Sequence, residues 1–374
     1  MKKIVLFGAG NRAKKFLVKW HQKIDIYQIF DNFKEGYFYG YSIKKPYYNT
    51  DLFIIIVMDS IDKYLLIRRQ LLDLGFIEFK DFIPYTIYRK KIAMVHGNCH
   101  MTLIKRYLET SHKLNDIYGF YPFPQIQDIP KDLEIDEILK HCDLFIHQEI
   151  RKNNFYNEKF ASKLLIKELR KDCKVLAIPN LHALPKCFFP QLINAEVSKS
   201  LSKDFNDLID PNIKEWLDRG ITINQIEKMI SEGGVYDKKY ILYLWEEFCN
   251  KLLEREKKWD IKISDYIFSY YQREKLFTNL KHINTFLAKE IARRILNSLG
   301  CTDIQETIIQ SMDQYETFIY ADVKIALGLK FNENTVRNFS KVMCIENYGM
   351  DLKSYIEMQS QICSFEKWSY NGKE

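Results

Sequence analysis

The sequence predicts an α/β protein: a short front domain, then a longer parallel α/β domain that ends in a helical part. Three observations lead there. Over roughly the first half of the chain, short apolar runs alternate with longer amphipathic ones, the pattern of strands covered by helices. Twice an apolar run passes through a glycine turn straight into a helical pattern, at LFGAGNRA and at VHGNCHM. Beyond about residue 186 the apolar residues fall mostly at helical spacing.

The front domain is expected over residues 1–88. Lys3–Phe7 reads as a buried strand, and Gly8-Ala9-Gly10-Asn11-Arg12-Ala13 matches G-x-G-x-x-G/A before a helix over Lys14–Trp20. Ile26–Phe30 is a second strand and ends at Asp31, about 20 residues after the glycines, where a ribose-binding carboxylate belongs. Leu52–Val57 and Phe79–Ile83 read as strands around an amphipathic helix, Ile61–Leu74. A dinucleotide normally needs two mononucleotide halves, and only about one and a half are present. Gly8, Gly10 and Asp31 are therefore candidates for a nucleotide or nucleotide-sugar, or serve only strand–helix packing. The domain resembles the small Rossmann-like modules at the front of sugar-modifying enzymes of polysaccharide pathways.

The second domain is expected over residues 89–374. In KIAMVHGNCHMTLIKRYL a strand from Lys91 reaches a His96-Gly97-Asn98-Cys99 turn, and Met101, Ile104, Tyr107 and Leu108 then recur at helical spacing. Cys99 would stand in the first helical turn, where unpaired N–H groups and the helix dipole favour a thiolate. A serine nucleophile in a strand-to-helix elbow uses the same geometry, whereas most cysteines are simply buried. A strand over Asp116–Pro122, a helix over Ile135–Lys140, a strand over Cys142–His147, a helix over Tyr156–Lys171 and a strand over Cys173–Ile178 continue the alternation. Three strands end in polar clusters: His96-Gly97-Asn98-Cys99, His147-Gln148-Glu149, and Asn180 with His182. Ligands of open α/β sheets bind outside the carboxyl ends of the strands. Cysteine and histidine make a nucleophile, and Asn98, Gln148 and Asn180 supply amides for an oxyanion. Each such residue can also do no more than satisfy loop backbone.

Helices are expected over Pro211–Arg219, Ile223–Glu232, Lys238–Lys257, Asp265–Tyr271 and from an Asn284 cap to about Leu299, and further ones over Ile304–Met312, Asn334–Cys344 and Asp351–Phe365. His282 lies in the loop before the Asn284 cap, a position that suits a general base.

Composition narrows the classes. With 374 residues, 47% hydrophobic and 14% aromatic, two sizeable cores can form. The net charge of +7 comes without a lysine block or basic–aromatic stripe, which argues against nucleic acid. The eight cysteines include no CxxC pair, so no metal site is expected. No run reaches the roughly 18 apolar residues of a membrane span. The expectation is a reduced, cytoplasmic protein with a small-molecule or glycan substrate, its state as monomer or homo-oligomer left open.

In order along the chain, VHGNCH, DLFIHQEI, AIPNLHALPKCFFPQL and LFTNLKHINTFLAKEIARRIL resemble the motifs of the WcbI-type polysaccharide biosynthesis acetyltransferases, distant relatives of the SGNH/GDSL hydrolase fold. His100 stands where that family usually has glutamine, and Ile283 where it has proline. The resemblance implies an SGNH-like second domain and an acyl-CoA-dependent O-acyltransferase, acetyl by expectation, acting on a sugar of a capsular or other surface polysaccharide. Coenzyme A would be the acyl carrier, Cys99 would stand at the serine position, and His282 near the late histidine. Gly97, His182, Arg151, Lys105 and Arg106 would then face the cofactor. Cys99 either becomes acylated or leaves His282 to deprotonate the sugar hydroxyl for direct attack. Other readings are an esterase or deacetylase on the same residues, an NAD-dependent sugar oxidoreductase centred on Gly8–Ala13, and a scaffold that only binds.

Overall fold

The computed structural model describes residues 2–151, 158–194, 208–305, 317–331, 352–353 and 356–357. The chain divides into two compact units, Met1–Ile178 with Leu296–Gln305, and Pro179–Ile295 with Glu306–Glu374. Helices expected over Asn334–Cys344, and most of those over Ile304–Met312 and Asp351–Phe365, lie outside the described residues.

The first unit contains two sheets. Its front sheet is built from β1 (Lys3–Phe7), β2 (Ile26–Phe30), β3 (Gly36–Phe38), β4 (Tyr41–Lys44), β5 (Leu52–Ile56) and β6 (Phe82–Pro84), in the order β3-β4-β2-β1-β5-β6. All neighbours are parallel except the β3–β4 pair. Helices α1 (Asn11–Trp20) and α2 (Ile61–Asp73) supply the crossovers. This is a Rossmann-like arrangement. The β3–β4 hairpin was not expected: its strands are three and four residues long and read as loop in the sequence.

The second sheet holds β7 (Lys91–His96), β8 (Tyr118–Phe120), β9 (Leu144–Gln148) and β10 (Lys174–Ile178), all parallel, in the order β10-β9-β7-β8. Between them run α3 (Cys99–Leu108), α4 (His112–Ile117), α5 (Asp136–His141) and α6 (Ser162–Glu168). The strand expected from Asp116 starts only at Tyr118, because Ser111 caps α4 by accepting the Leu114 N–H at 3.1 Å. Asp303, from the returning segment, accepts from Ser111 Oγ at 2.6 Å and from Lys113 N at 3.0 Å.

One apolar core serves both sheets: Phe7, Ile54, Tyr64 and Phe82 from the front sheet and its helix pack in the same cluster as Met94, Tyr121 and Phe145. Within it the Glu78 carboxylate accepts from Tyr64 Oη at 2.7 Å, Tyr121 Oη at 2.7 Å and Arg68 Nε at 2.8 Å. A partition at residue 88 therefore separates the two sheets but cuts a shared core and the hydrogen bond from Tyr121 to Glu78. Alternation along the chain marks a sheet change, but not whether neighbouring sheets bury the same residues.

The second unit is mainly helical. Its described elements are a short β11–β12 pair (Ile193–Asn194, Leu208–Ile209) and α7 (Pro211–Asp218), α8 (Ile223–Glu232), α9 (Lys238–Glu256), α10 (Ser264–Tyr270), α11 (Thr285–Ser298) and α12 (Ala321–Leu327). Local chemistry sets the ends. Pro211 follows the Asp210 cap, Thr222 and Gln225 form a capping box, and Asn284 Oδ1 accepts the Leu287 N–H at 2.9 Å. Gly300, in the left-handed region at φ 75°, follows α11. The last residues of α11 belong to the first unit. Among the described residues no helix is long and apolar enough to cross a membrane.

Candidate active site

The carboxyl edge of the second sheet carries the first group of candidates. Strand β7 ends at His96, and Gly97-Asn98 turns the chain into α3 with Cys99 as its first residue. Asn98 is the cap: its Oδ1 accepts the His100 N–H at 3.0 Å. The neighbouring β9 ends at Gln148, fully buried, whose Oε1 accepts the Asn98 N–H at 3.0 Å. A Cβ on Gly97 would run into Gln148 Oε1 and Met101 Cγ, so glycine here makes room for the amide. Gly97, Asn98, Cys99 and Gln148 thus form one braced turn, with the Cys99 thiol half-buried at a helix N-terminus. The Asn98 N–H is committed to Gln148, so the backbone donor left to consider for an oxyanion is that of Cys99.

Beneath this turn His96 is wholly buried, stacked on Phe145, with Nε2 donating to Phe160 O at 2.9 Å. Nδ1 has no hydrogen-bond partner. Burial, with the charge of His147 second, lowers its pKa to about 4, so the ring is neutral at pH 7. His96, the first residue of that expected polar cluster, is thus turned into the core beneath the turn.

The expected cations of this unit are placed on its surface. Arg151 is exposed and paired with Glu149 at 3.3 Å, and Lys105 pairs with Glu109 while lying over the Phe120 ring. Arg106 is exposed on the outer face of α3. In the front sheet, Gly8 has φ 117° and packs under Val57 and Met58. Asp31 accepts from Ala9 N at 2.8 Å and from Phe33 N and Lys34 N at 2.9 Å each. Burial would raise its carboxyl, but these three donors and the Lys34 charge outweigh it and hold the pKa down. Asp31 braces the glycine loop through Oδ2 and its own following turn through Oδ1. Gly10 has open space where a Cβ would sit.

The second unit carries the other candidates. Asn180 Oδ1 accepts the His182 N–H at 3.3 Å, and Asn180 O accepts from Arg255 Nη1 at 3.2 Å. Ala183 N donates to Leu280 O at 3.1 Å, tying this loop to the one before α11. There Asn279, fully buried, accepts from Lys281 N at 2.8 Å and His282 N at 3.0 Å. Its Nδ2 lies 3.4 Å from His282 Nδ1. Burial, then the charges of Lys281, His282 and Arg255, lower the His182 pKa to about 4. Asn180, His182 and His282 are thus neighbours in a cationic cluster. Asn279, Lys281 and Arg255 were not foreseen; the N-x-x-H spacing was the signal for the first, since an Asn side chain often bonds the backbone two or three residues on. Asp265, which could have oriented His282, is ion-paired with Arg294 at 2.7 Å.

Of the described cysteines, Cys142, Cys187 and Cys301 are buried, and burial pushes the Cys249 thiol up to about 11. Cys173 is held below its ordinary value, first by a hydrogen bond from the Cys142 thiol. Brief alkylation near pH 7 should therefore label Cys99 first and Cys173 second, with the other four slow. Peptide mapping checks this; Cys187 or Cys301 labelling ahead of Cys99 would contradict it.

A mostly parallel and a fully parallel sheet with helical crossovers, and a capped strand–turn–helix presenting a cysteine at a carboxyl edge, define an α/β enzyme fold with a candidate centre on the second sheet. A family model described as the polysaccharide biosynthesis enzyme WcbI matches residues 92–303. The chain belongs to that family. A solved structure of WcbI, described as a novel polysaccharide biosynthesis enzyme and as native protein without a disulfide bond between coenzyme A and a cysteine, has the same fold. It is 17% identical with a TM-score of 0.57, over 74% of this chain and 90% of that one. Comparison with curated proteins gave no match.

Proposed function

We propose that this member of the family is an acyl-CoA-dependent O-acyltransferase, acetyl being the acyl group, acting on a sugar hydroxyl of a capsular or other surface polysaccharide. The observation that carries the reading is the braced Gly97–Cys99 turn, with Gln148 locked on it and a half-buried thiol at the start of α3. The solved relative, described in terms of coenzyme A and a cysteine, supports coenzyme A as the carrier. In the reaction the sugar oxygen bonds to the thioester carbonyl carbon and the carbon–sulfur bond breaks. The hydroxyl proton ends on the coenzyme A thiol. If Cys99 acts covalently, its sulfur holds the acyl group between two such exchanges. The Cys99 backbone N–H and the Gln148 amide are the proposed oxyanion donors in the first unit, and His282 and Asn180 the proposed site residues of the second. Arg255 and Lys281 beside His182 are better placed to meet a phosphate than the exposed, carboxylate-paired Arg151. In the front domain, the commitment of Asp31 to the Ala9 N–H between Gly8 and Gly10, and to its own turn, supports packing rather than a nucleotide.

Calorimetry with coenzyme A tests the reading. Binding to the intact protein is expected, weakened by at least tenfold in Arg255→Ala and little changed in Arg151→Ala, since exposed ion pairs contribute little. No binding to the intact protein, with ester hydrolysis retained, would replace the transferase by an esterase on the same residues.

A further inference from the structure

The loop before α11 fixes which nitrogen of His282 carries the proton. Asn279 is fully buried, and its Oδ1 accepts two backbone N–H groups, from Lys281 at 2.8 Å and from His282 at 3.0 Å. Turning the amide over would set its NH2 against both of those N–H groups, leaving two part-buried donors facing a donor. The amide orientation is therefore determined by the backbone. The end that faces His282 Nδ1, at 3.4 Å, is Nδ2. An amide nitrogen only donates, so Nδ1 must offer its lone pair, and a neutral ring then carries its proton on Nε2. His282 O accepts from Thr278 N at 3.1 Å, which holds the backbone of the turn.

A base that works through Nε2 needs the opposite tautomer, with Nδ1 protonated and donating to a carboxylate or carbonyl. Asp265 is engaged with Arg294 through both oxygens, at 2.7 and 2.9 Å. We infer that Asn279 is a positioning residue that holds His282 in the Nε2–H form, so that His282 donates a hydrogen bond to an oxygen of the acyl donor, a thioester or phosphate oxygen, instead of taking a proton from the sugar. Asn279 touches no reacting atom in this role; it acts through the ring. The assignment of an acyl donor rests on the proposed function, whereas the tautomer does not.

The experiment is nitrogen NMR on the full chain with 15N-labelled histidine, at a pH where the ring is neutral, with His282 assigned by its loss in His282→Gln. The wild-type ring should show a bare Nδ1 and a protonated Nε2. The Nε2–H form is also the commoner one for free imidazole, so the deciding arm is Asn279→Asp. Its carboxylate can still accept both backbone N–H groups and should pull the ring proton to Nδ1. Turnover of this variant should fall at least tenfold. A wild-type ring protonated at Nδ1 overturns the inference without any variant, and so does an Asn279→Asp ring that stays in the Nε2–H form. A switched tautomer with unchanged turnover overturns the donor role. If coenzyme A does not bind at all, the transferase reading fails while the tautomer result still stands or falls on its own.

Discussion

Replacing Cys99 with alanine is expected to lower acyl transfer at least ~100-fold while leaving the thermal midpoint within a few degrees of wild type. The thiol is half-buried at the first position of α3, and the cap of that helix is Asn98, not Cys99. Removing the sulfur therefore takes away a reactive group but no capping bond. Gly97→Ala should reach a comparable loss by another route. The added Cβ meets the Gln148 amide and Met101, so Gln148 must leave the Asn98 N–H and the turn loses its brace. Residues that act as a unit are not additive. If His282 serves the same transfer, Cys99→Ala with His282→Ala should cost little more than Cys99→Ala alone. Initial rates with acetyl-CoA and an acceptor glycan measure all four proteins. Full activity in Cys99→Ala would remove the cysteine from the chemistry and leave coenzyme A and glycan to meet elsewhere.

The part of this site that could be read in the sequence is the part made by consecutive residues. VHGNCH is a strand end, a turn and a helix start within six positions, and the structure has β7 and α3 joined there as expected. Gln148 was readable because an apolar strand stops at it, and its pairing with Asn98 follows from β7 and β9 being parallel neighbours. What the sequence hides is side-chain allegiance. Asp31 stands where a ribose ligand belongs, but only coordinates reveal that three backbone N–H groups hold it. Arg151 follows a strand end directly and still points to solvent beside Glu149. The shared core of the two sheets is hidden for the same reason: apolar alternation tells which face of a strand is buried, not which partner buries it. Arg68 and Glu78, charged residues ten positions apart, form a buried pair at 2.8 Å with side chains 10% and 3% exposed.

Acid should unfold the first unit through His96. Its folded pKa is about 4, against an ordinary value near 6.5. Above about 6.5 both states keep the ring neutral, and this group contributes nothing to the pH dependence. As pH falls below about 6.5 the unfolded chain takes up a proton that the folded chain refuses, so stability drops. The loss is complete near pH 4, where the folded ring also titrates, and amounts to about 3 kcal/mol for the gap between the two values. The cause is steric as much as electrostatic. The ring sits between Phe145 and Phe123, its Nε2–H is committed to Phe160 O, and a proton on Nδ1 would have no acceptor. His147, the second cause of the shift, adds like charge when it titrates. His182 has a folded pKa of about 4 as well and loses stability over the same window in the second unit, so the wild-type curve alone does not isolate His96. The comparison with His96→Leu does. The variant leaves the Phe160 carbonyl unpaired and should be less stable at pH 7 by about 1–3 kcal/mol. Its denaturant-unfolding free energy should nevertheless fall less steeply with acid, the difference from wild type shrinking by about 3 kcal/mol between pH 7 and pH 4. Carboxylates that titrate near pH 4 are common to both proteins and cancel in that difference. A constant offset across the whole range would mean that the folded ring takes its proton as readily as the unfolded one, and that the buried pocket around Nδ1 opens to water or to a donor-accepting partner on acidification.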